Sequence, residues 1–379
     1  MNGKKKIDGQ KGMCGSNSEE KSIGKNESIA SPEEKGMREK ESITSPEEKG
    51  MSSYTVYNVK DFDLRHIFEC GQCFRNRKLA ENEYLVATTD RIVTMRTEKI
   101  RNGKARTGKA RTGKTRTGKT RAGESSGSED ALVTLEISPC TEEEFDGFWK
   151  KYLDLDRDYD AIKKRLCRND EIMGDAVRYG EGIRILGQDL WETIISFIIS
   201  QNNNIPRIKG CIEKLCRLAG RKLDTKLCRE DLQHGDDVRT PEGGSADATL
   251  LPYAFPGAED IAGLTLDDLA CVRLGYRAKY ILSAARTVTE KGLPESEEEL
   301  LELMGVGPKV ANCILLFGMA KYESFPIDVW VKKVMHELYG LKRDDMEAMK
   351  RFAAENFGEL GGFAQQYLFF YMREKENIR

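Results

Sequence analysis

Close to Thr141 the spacing of apolar residues changes, and this change constrains the fold of the chain more than any other feature. Before it, "YTVYNV", "EYLVATTDRIVTMRT" and "ALVTLEIS" alternate apolar and polar side chains and are rich in β-branched and aromatic residues, as half-buried strands require. After it, "LWETIISFIIS", "IPRIKGCIEKLCRLAG", "LTLDDLACVRLGYRAKYILSAARTV", "LLELMGVGPKVANCILLFGMA", "DVWVKKVMHELYG" and "FAQQYLFFYMRE" all follow helical spacing. Strands followed by an unbroken series of helices predict an α+β protein. Its N-terminal antiparallel β-sheet domain spans 52–140 and its mostly α-helical domain spans 141–379.

Three segments stand apart from this pattern. Residues 1–51 repeat a phrase, "ESIASPEEKGM" and "ESITSPEEKGM", in a polar background that cannot bury enough apolar surface to offset chain entropy, so a disordered tail is expected. Within 101–124 lies "GKARTGKARTGKTRTGKTRA", a five-residue repeat with eight cations and no acids. It reads as an extended loop, either a tolerated insertion or a mobile cationic arm that attracts nucleic acid without reading its sequence. The stretch 221–248, rich in Asp, Gly and Thr, is expected to be a surface insertion.

A net charge of -2 thus conceals separated blocks of opposite sign. No run of 18 apolar residues occurs and no apolar stretch follows the basic N-terminus, so neither membrane insertion nor secretion is expected. The expected location is intracellular: cytoplasm or nucleoid in a prokaryote, nucleus in a eukaryote. Ten cysteines are scattered along the chain. In a reducing compartment most of them serve as small buried hydrophobes. Cys70 and Cys73, in "CGQCF", have zinc or redox spacing. With three histidines in all and no second such pair, no metal site and no cofactor is expected.

Chemistry concentrates in "GVGPKVANCILLFG", residues 305–318. Ser296 with Glu299 three residues on forms a capping box that starts a short helix, "GVG" ends it, and Pro308 suits the first position of the next. The result is a helix-hairpin-helix. Its turn directs unpaired amides outward at the positive end of a helix, and Gly305 and Gly307 let a phosphate approach without a side chain in the way. Lys309, in the first helical turn, is electrostatically misplaced, because the helix dipole there favours the neutral amine, and a neutral amine is a nucleophile. Taken alone it could equally touch a phosphate. Asp328, at the start of the next amphipathic helix, could be a plain N-cap or a catalytic carboxylate.

These residues, with "CGQCFR" (70–75), "SQNNNIPRI" (200–208), "LGYRAKYI" (274–281), "PIDV" (326–329) and "GGFAQQYLF" (361–369) in the same order, resemble the helix-hairpin-helix DNA glycosylases. Among these, the match is closest to the 8-oxoguanine DNA glycosylases. The resemblance covers about Tyr54 to Glu374 without the low-complexity segments. It implies that Lys309 attacks C1′ of a damaged nucleotide in duplex DNA and forms a Schiff base whose β-elimination nicks the strand, and that Asp328 stabilises the cationic sugar. Gly71 then accepts the N7 hydrogen of 8-oxoguanine, Gln365 binds its Watson-Crick edge, and Phe369 and Cys313 sandwich it. Lys309 with Cys313, and Gln365 with Phe369, are i, i+4 pairs that share a helix face, and an extruded base needs such a slot. Asn202, Arg207 and Arg277 match the residues that read the orphaned cytosine, Tyr276 the side chain wedged into the stack, and Gly305, Gly307 and Val310 the phosphate contacts. A monomer is expected.

Some positions depart from the family pattern. Trp330 stands where relatives often carry a phosphate-binding His, Cys73 where many have Ser, and Asn76 where many have Trp. A monofunctional alkyl-base glycosylase would keep Asp328 without needing Lys309 or the pairing of Gly71 with Gln365. A non-catalytic DNA-binding module would bind without forming product. The iron-sulfur branch is excluded, since no cysteine follows Cys313.

Overall fold

The computed structural model describes residues 52–100, 132–223 and 252–377. The expected tail, the basic repeat and most of the expected insertion lie outside them. Five strands, β1 (Tyr54–Val59), β2 (Asn76–Ala80), β3 (Glu83–Thr88), β4 (Arg91–Lys99) and β5 (Val133–Ser138), form one antiparallel sheet in the order β1-β5-β4-β3-β2. In β5 the expected alternation holds: Val133, Leu135 and Ile137 point inward. β3 is instead buried along almost its whole length, because both faces of the sheet are covered there. One face meets Phe68, Trp149 and Tyr152, and the other meets Leu223 and Ala254. Two elements escaped the sequence reading, β2 and the short helix α1 (Leu64–Glu69), which Asp63 caps through the His66 amide at 3.0 Å. Both are too short to establish a period: β2 is largely polar, and α1 buries Leu64, Ile67 and Phe68 at helical spacing over less than two turns.

The helices follow as α2 (Glu142–Glu144), a π turn (Phe145–Trp149), α3 (Lys150–Tyr152), α4 (Tyr159–Leu166), α5 (Glu171–Tyr179), α6 (Leu190–Ser200) and α7 (Ile205–Ala219). After residue 251 come α8 (Ala258–Ala262), a 3-10 turn (Asp268–Val272), α9 (Arg277–Lys291), α10 (Glu297–Glu302), α11 (Pro308–Gly318), α12 (Val329–Glu337), α13 (Met346–Asn356) and α14 (Gly361–Asn377). The segment read as one helix around "LACVRLGYRAK" is broken, since Arg273 and Gly275 adopt φ of 63° and 62°. That break frees Tyr276 to begin α9. α6 is buried from Trp191 to Ile199 apart from Glu192, and α11 lies against it, with Phe197 and Phe317 stacked at 5.5 Å. At the start of the expected insertion, Arg221 and Leu223 exchange main-chain hydrogen bonds with Ala254 and Pro252 at 2.8 and 2.7 Å.

The seam between sheet and helices is polar. Arg75 pairs with Glu213 of α7 at 2.9 Å, with side chains 2% and 4% exposed, and also donates to the Tyr253 carbonyl at 2.7 Å. Lys209 of α7 donates to the side chain and carbonyl of Asn76 at 2.7 and 2.9 Å. Glu192 of α6 accepts from the Thr89 amide at 2.8 Å, and burial pushes its carboxyl up to about 7. Removing one member of a buried pair such as Arg75–Glu213 leaves an uncompensated charge, which costs about 3–5 kcal/mol.

Candidate active site

The hairpin forms as its sequence demands, with one difference. Ser296 caps α10 through the Glu299 amide at 3.2 Å, but the Glu299 carboxylate accepts from Glu295 at 2.8 Å, so the expected capping box is half formed. The carboxylate reaches one residue further back, to the next free amide. Gly305 has φ of +88°, and a Cβ there would sit 2.4 Å from the Tyr280 ring. Only glycine fits, and the contact presses the hairpin onto α9. Gly307 is the N-cap of α11, with no capping side chain and open space around it. The helical ladder begins with the Ala311 amide bonded to Gly307 at 2.9 Å. The Lys309 and Val310 amides therefore precede it and face outward, ready for an anion. The Val310 side chain itself is buried, so only its main chain is open to a phosphate.

Lys309, Cys313 and Asp328 lie close enough to shift one another's protonation. The Lys309 amine is held above its ordinary value. Charge on Cys313 raises it most, burial opposes, and Asp328 and a hydrogen bond to Cys313 add to the rise. This runs against the expectation of a neutral amine at the helix end: near neutral pH Asp328 favours the ammonium, and Cys313 adds to that only where its own raised thiol ionises. Burial pushes the Cys313 thiol up against the pull of Lys309. Asp328 caps α12 by accepting from the Trp330 and Val331 amides at 2.9 and 2.8 Å through Oδ1. Burial raises its carboxyl even so, with those amides and Lys309 opposing. The capping and electrostatic roles thus coincide in one residue. The Lys309 ammonium lies 5.8 Å from the centroid of the Phe197 ring, and Phe197 also meets Phe74 edge-on at 5.9 Å.

Phe74 leads into the loop after α1, where Gly71 adopts φ of +79° and packs on Phe369, 3.3 Å separating its ideal Cβ position from the ring. Gly71 and Phe369, 298 positions apart in the chain, are therefore brought together. Gln365 is 5% exposed, and its side-chain oxygen has no hydrogen-bond partner among the described residues. An unpaired buried acceptor costs about 1–3 kcal/mol unless a ligand supplies the donor. The paired glycines that open α14 set its place: a Cβ on Gly362 would lie 2.2 Å from Leu316 of α11, and the Gly362 amide bonds the Tyr322 carbonyl at 2.7 Å. Cys70 and Cys73 are buried, and burial pushes the Cys70 thiol up to about 11 and Cys73 higher still. They behave as neutral thiols, Cys70 donating to the Ile67 carbonyl at 3.2 Å. Among the described residues no group of three His, Cys, Asp or Glu could hold a metal ion.

The other predicted residues gather where α6 turns into α7. Asn202, at φ of 46°, donates to the Tyr276 hydroxyl at 3.3 Å. Tyr276 is 43% exposed and meets Tyr280 edge-on at 5.6 Å. The Arg207 side chain makes one long hydrogen bond, to the Arg273 carbonyl at 3.4 Å. Arg277 differs. It is 4% exposed, and its guanidinium donates to the carbonyls of Gln201, Asn202 and Leu274. Trp330 is half-buried against the helical core. Four contributors escaped the sequence reading: Phe197, Tyr280, Gln366 and Arg373. Arg373 follows Phe369 by four residues, the interval that had already paired Gln365 with Phe369.

A glycine hairpin feeding an uncapped helix, with lysine, thiol and carboxylate beside its first turn, defines a helix-hairpin-helix base-excision glycosylase architecture. Residues 195–358 match the HhH-GPD superfamily of base excision DNA repair proteins, and residues 55–194 match the N-terminal domain of 8-oxoguanine DNA glycosylase. The 8-oxoguanine glycosylase/lyase of Clostridium acetobutylicum, solved with double-stranded DNA containing cytosine opposite 8-oxoguanine, superposes with a TM-score of 0.67 at 36% identity, covering 86% of this chain and 96% of that one. A probable N-glycosylase/DNA lyase of Methanothermobacter thermautotrophicus is 33% identical over 51% of this chain. The N-glycosylase/DNA lyase of Saccharomyces cerevisiae is 32% identical over 42% of it. The matched segments span 64% and 42% of those two relatives, under two thirds of either. The chain belongs to the 8-oxoguanine DNA glycosylase family within the HhH-GPD superfamily.

Proposed function

We propose that this protein is a bifunctional DNA glycosylase and AP lyase of base excision repair that extrudes 8-oxoguanine from double-stranded DNA, preferably from opposite cytosine, excises it and nicks the strand. The observation that carries the reading is the cluster of Lys309, Cys313 and Asp328 beside the uncapped start of α11. The Lys309 and Val310 amides bind the phosphate, and Tyr276 fills the stack that the base leaves. The extruded base lies between Cys313 and Phe369. Its N7 hydrogen goes to the Gly71 carbonyl, and the donors of its Watson-Crick edge go to the unpaired Gln365 oxygen.

Lys309 must first lose a proton, since its amine is raised. Asp328, itself raised by burial, is a better acceptor than a surface carboxylate. The amine then bonds to C1′ while the C1′–N9 bond breaks and its electron pair leaves with the base. Opening of the sugar gives an imine to Lys309. Loss of a 2′ proton then expels the 3′ oxygen, and hydrolysis of the imine frees the enzyme. One lysine and one wedge suffice for one lesion, so the protein acts as a monomer, inside the cell.

The test is a duplex oligonucleotide holding one 8-oxoguanine opposite cytosine, incubated with borohydride. A covalent complex and a strand nicked 3′ to the lesion are expected. Binding without either product overturns the reading in favour of a non-catalytic DNA-binding protein.

A further inference from the structure

The loop that carries Gly71 is held from α14 in a way that the chemistry above does not use. Its carbonyls at Glu69 and Cys70 are both occupied. Arg373 Nη2 donates to Glu69, and Gln366 Nε2 donates to Cys70 at 2.8 Å. The two donors stand on either side of Phe369 along one helix. The Arg373 guanidinium lies 5.3 Å from the centroid of the Phe369 ring, and its Nη1 is 3.6 Å from the ideal Cβ position of Gly71. From beneath, Gln72 pins the same loop, donating to the carbonyls of Ile67 and Arg184 at 2.9 and 2.8 Å and accepting from Leu186 at 2.9 Å. Among the described residues nothing donates to the next carbonyl, that of Gly71.

From this arrangement we infer that Gln366 and Arg373 are positioning residues that aim the Gly71 carbonyl, a role resting on the reading of Gly71 as the acceptor of the lesion's N7 hydrogen. At that edge 8-oxoguanine offers a donor where guanine offers a lone pair. A carbonyl held still meets a hydrogen in one case and a second acceptor in the other. A loop free to rotate its peptide turns the carbonyl aside and loses the distinction, because the hydrogen bond weakens steeply with misalignment. Two anchored carbonyls immediately upstream remove that freedom. The cation over Phe369 makes the stacking wall and the acceptor move as one body.

The discriminating measurement is made on Lys309→Gln, which binds without chemistry. Kd is measured for duplexes with 8-oxoguanine, guanine or a tetrahydrofuran abasic analogue opposite cytosine. Adding Arg373→Met or Gln366→Leu is expected to reduce the preference for 8-oxoguanine over guanine about tenfold, the worth of one well-aligned hydrogen bond. Affinity for the abasic duplex, which presents no base edge, stays within about twofold, and Arg373→Lys recovers part of the preference. An unchanged preference in both variants overturns the inference, as does an equal loss on all three duplexes. Should Lys309→Gln itself bind 8-oxoguanine and guanine alike, the reading of Gly71 fails, and the positioning role fails with it.

Discussion

The two sides of the site are built differently. On the lesion side Cys313 and Gln365 are buried, Gly71 is fixed by its positive φ, and Asp328 is locked by two amides. On the proposed partner side Tyr276 stands exposed and the Arg207 side chain makes one long hydrogen bond, while Arg277 lies buried with its nitrogens on main-chain carbonyls. The lesson is that residues grouped by one motif do not share one physical state. The chemical side is prebuilt by packing. On the proposed partner side, Arg277 braces the turn, and Arg207 is the one proposed to read.

The largest expected effect breaks the lesion side outright. Lys309→Gln should reduce borohydride trapping to background, and an adduct that persists would move the nucleophile elsewhere. Next, Asp328→Asn keeps an oxygen for the Trp330 and Val331 amides, so melting should change little. Single-turnover excision should fall about 10²–10⁴-fold, the usual worth of a proton-transferring group. A comparable loss in melting temperature would mean that the residue is chiefly a cap.

The partner side is sharpened by a pair of substitutions. Arg207→Met should leave stability within about 0.5 kcal/mol and weaken the preference for cytosine opposite the lesion about tenfold to a hundredfold, read from excision rates with each of the four bases. Arg277→Met should instead lose about 1–3 kcal/mol in urea unfolding, because it orphans the carbonyls of Gln201, Asn202 and the buried Leu274. If Arg277→Met unfolds as the parent does and alone abolishes the cytosine preference, the division of labour proposed here is reversed.

A last effect lies at the seam between sheet and helices. Burial pushes Glu192 up to about 7 from an ordinary 4.5. The folded state thus holds that proton more tightly than the unfolded chain. Its stabilising contribution is full below pH 4.5 and is lost as pH rises toward 7. Glu192→Gln keeps an acceptor for the Thr89 amide and removes this loss. Relative to the parent it should gain stability between pH 5 and pH 8, by about 3 kcal/mol at most. Parallel unfolding profiles for the two proteins would show that Glu192 stays ionised.

Much of this was legible in the chain. Period alone placed β1 and β5 and the helices from α6 onward, since a face buried on one side repeats at the spacing of its element. Gly305, Pro308 and Lys309 announced a hairpin, because backbone sterics act on adjacent residues. The short elements α1 and β2 were not legible, as each is too short for a period to stand out, and the break before α9 hides in two left-handed residues. The site was legible where a motif is local.

What the sequence determined by itself is therefore the order of sheet and helices and the hairpin: short-range stereochemistry and patterning settle both. Tertiary structure alone decided the charged surroundings of Lys309, the bracing role of Arg277 and the meeting of Gly71 with Phe369 and Arg373. Protonation depends on charges one turn and one helix away. Occupied donors depend on which carbonyls packing brings near. Contacts between the first and last described segments exist only once the Gly362 backbone has closed on Leu316 and carried α14 into place.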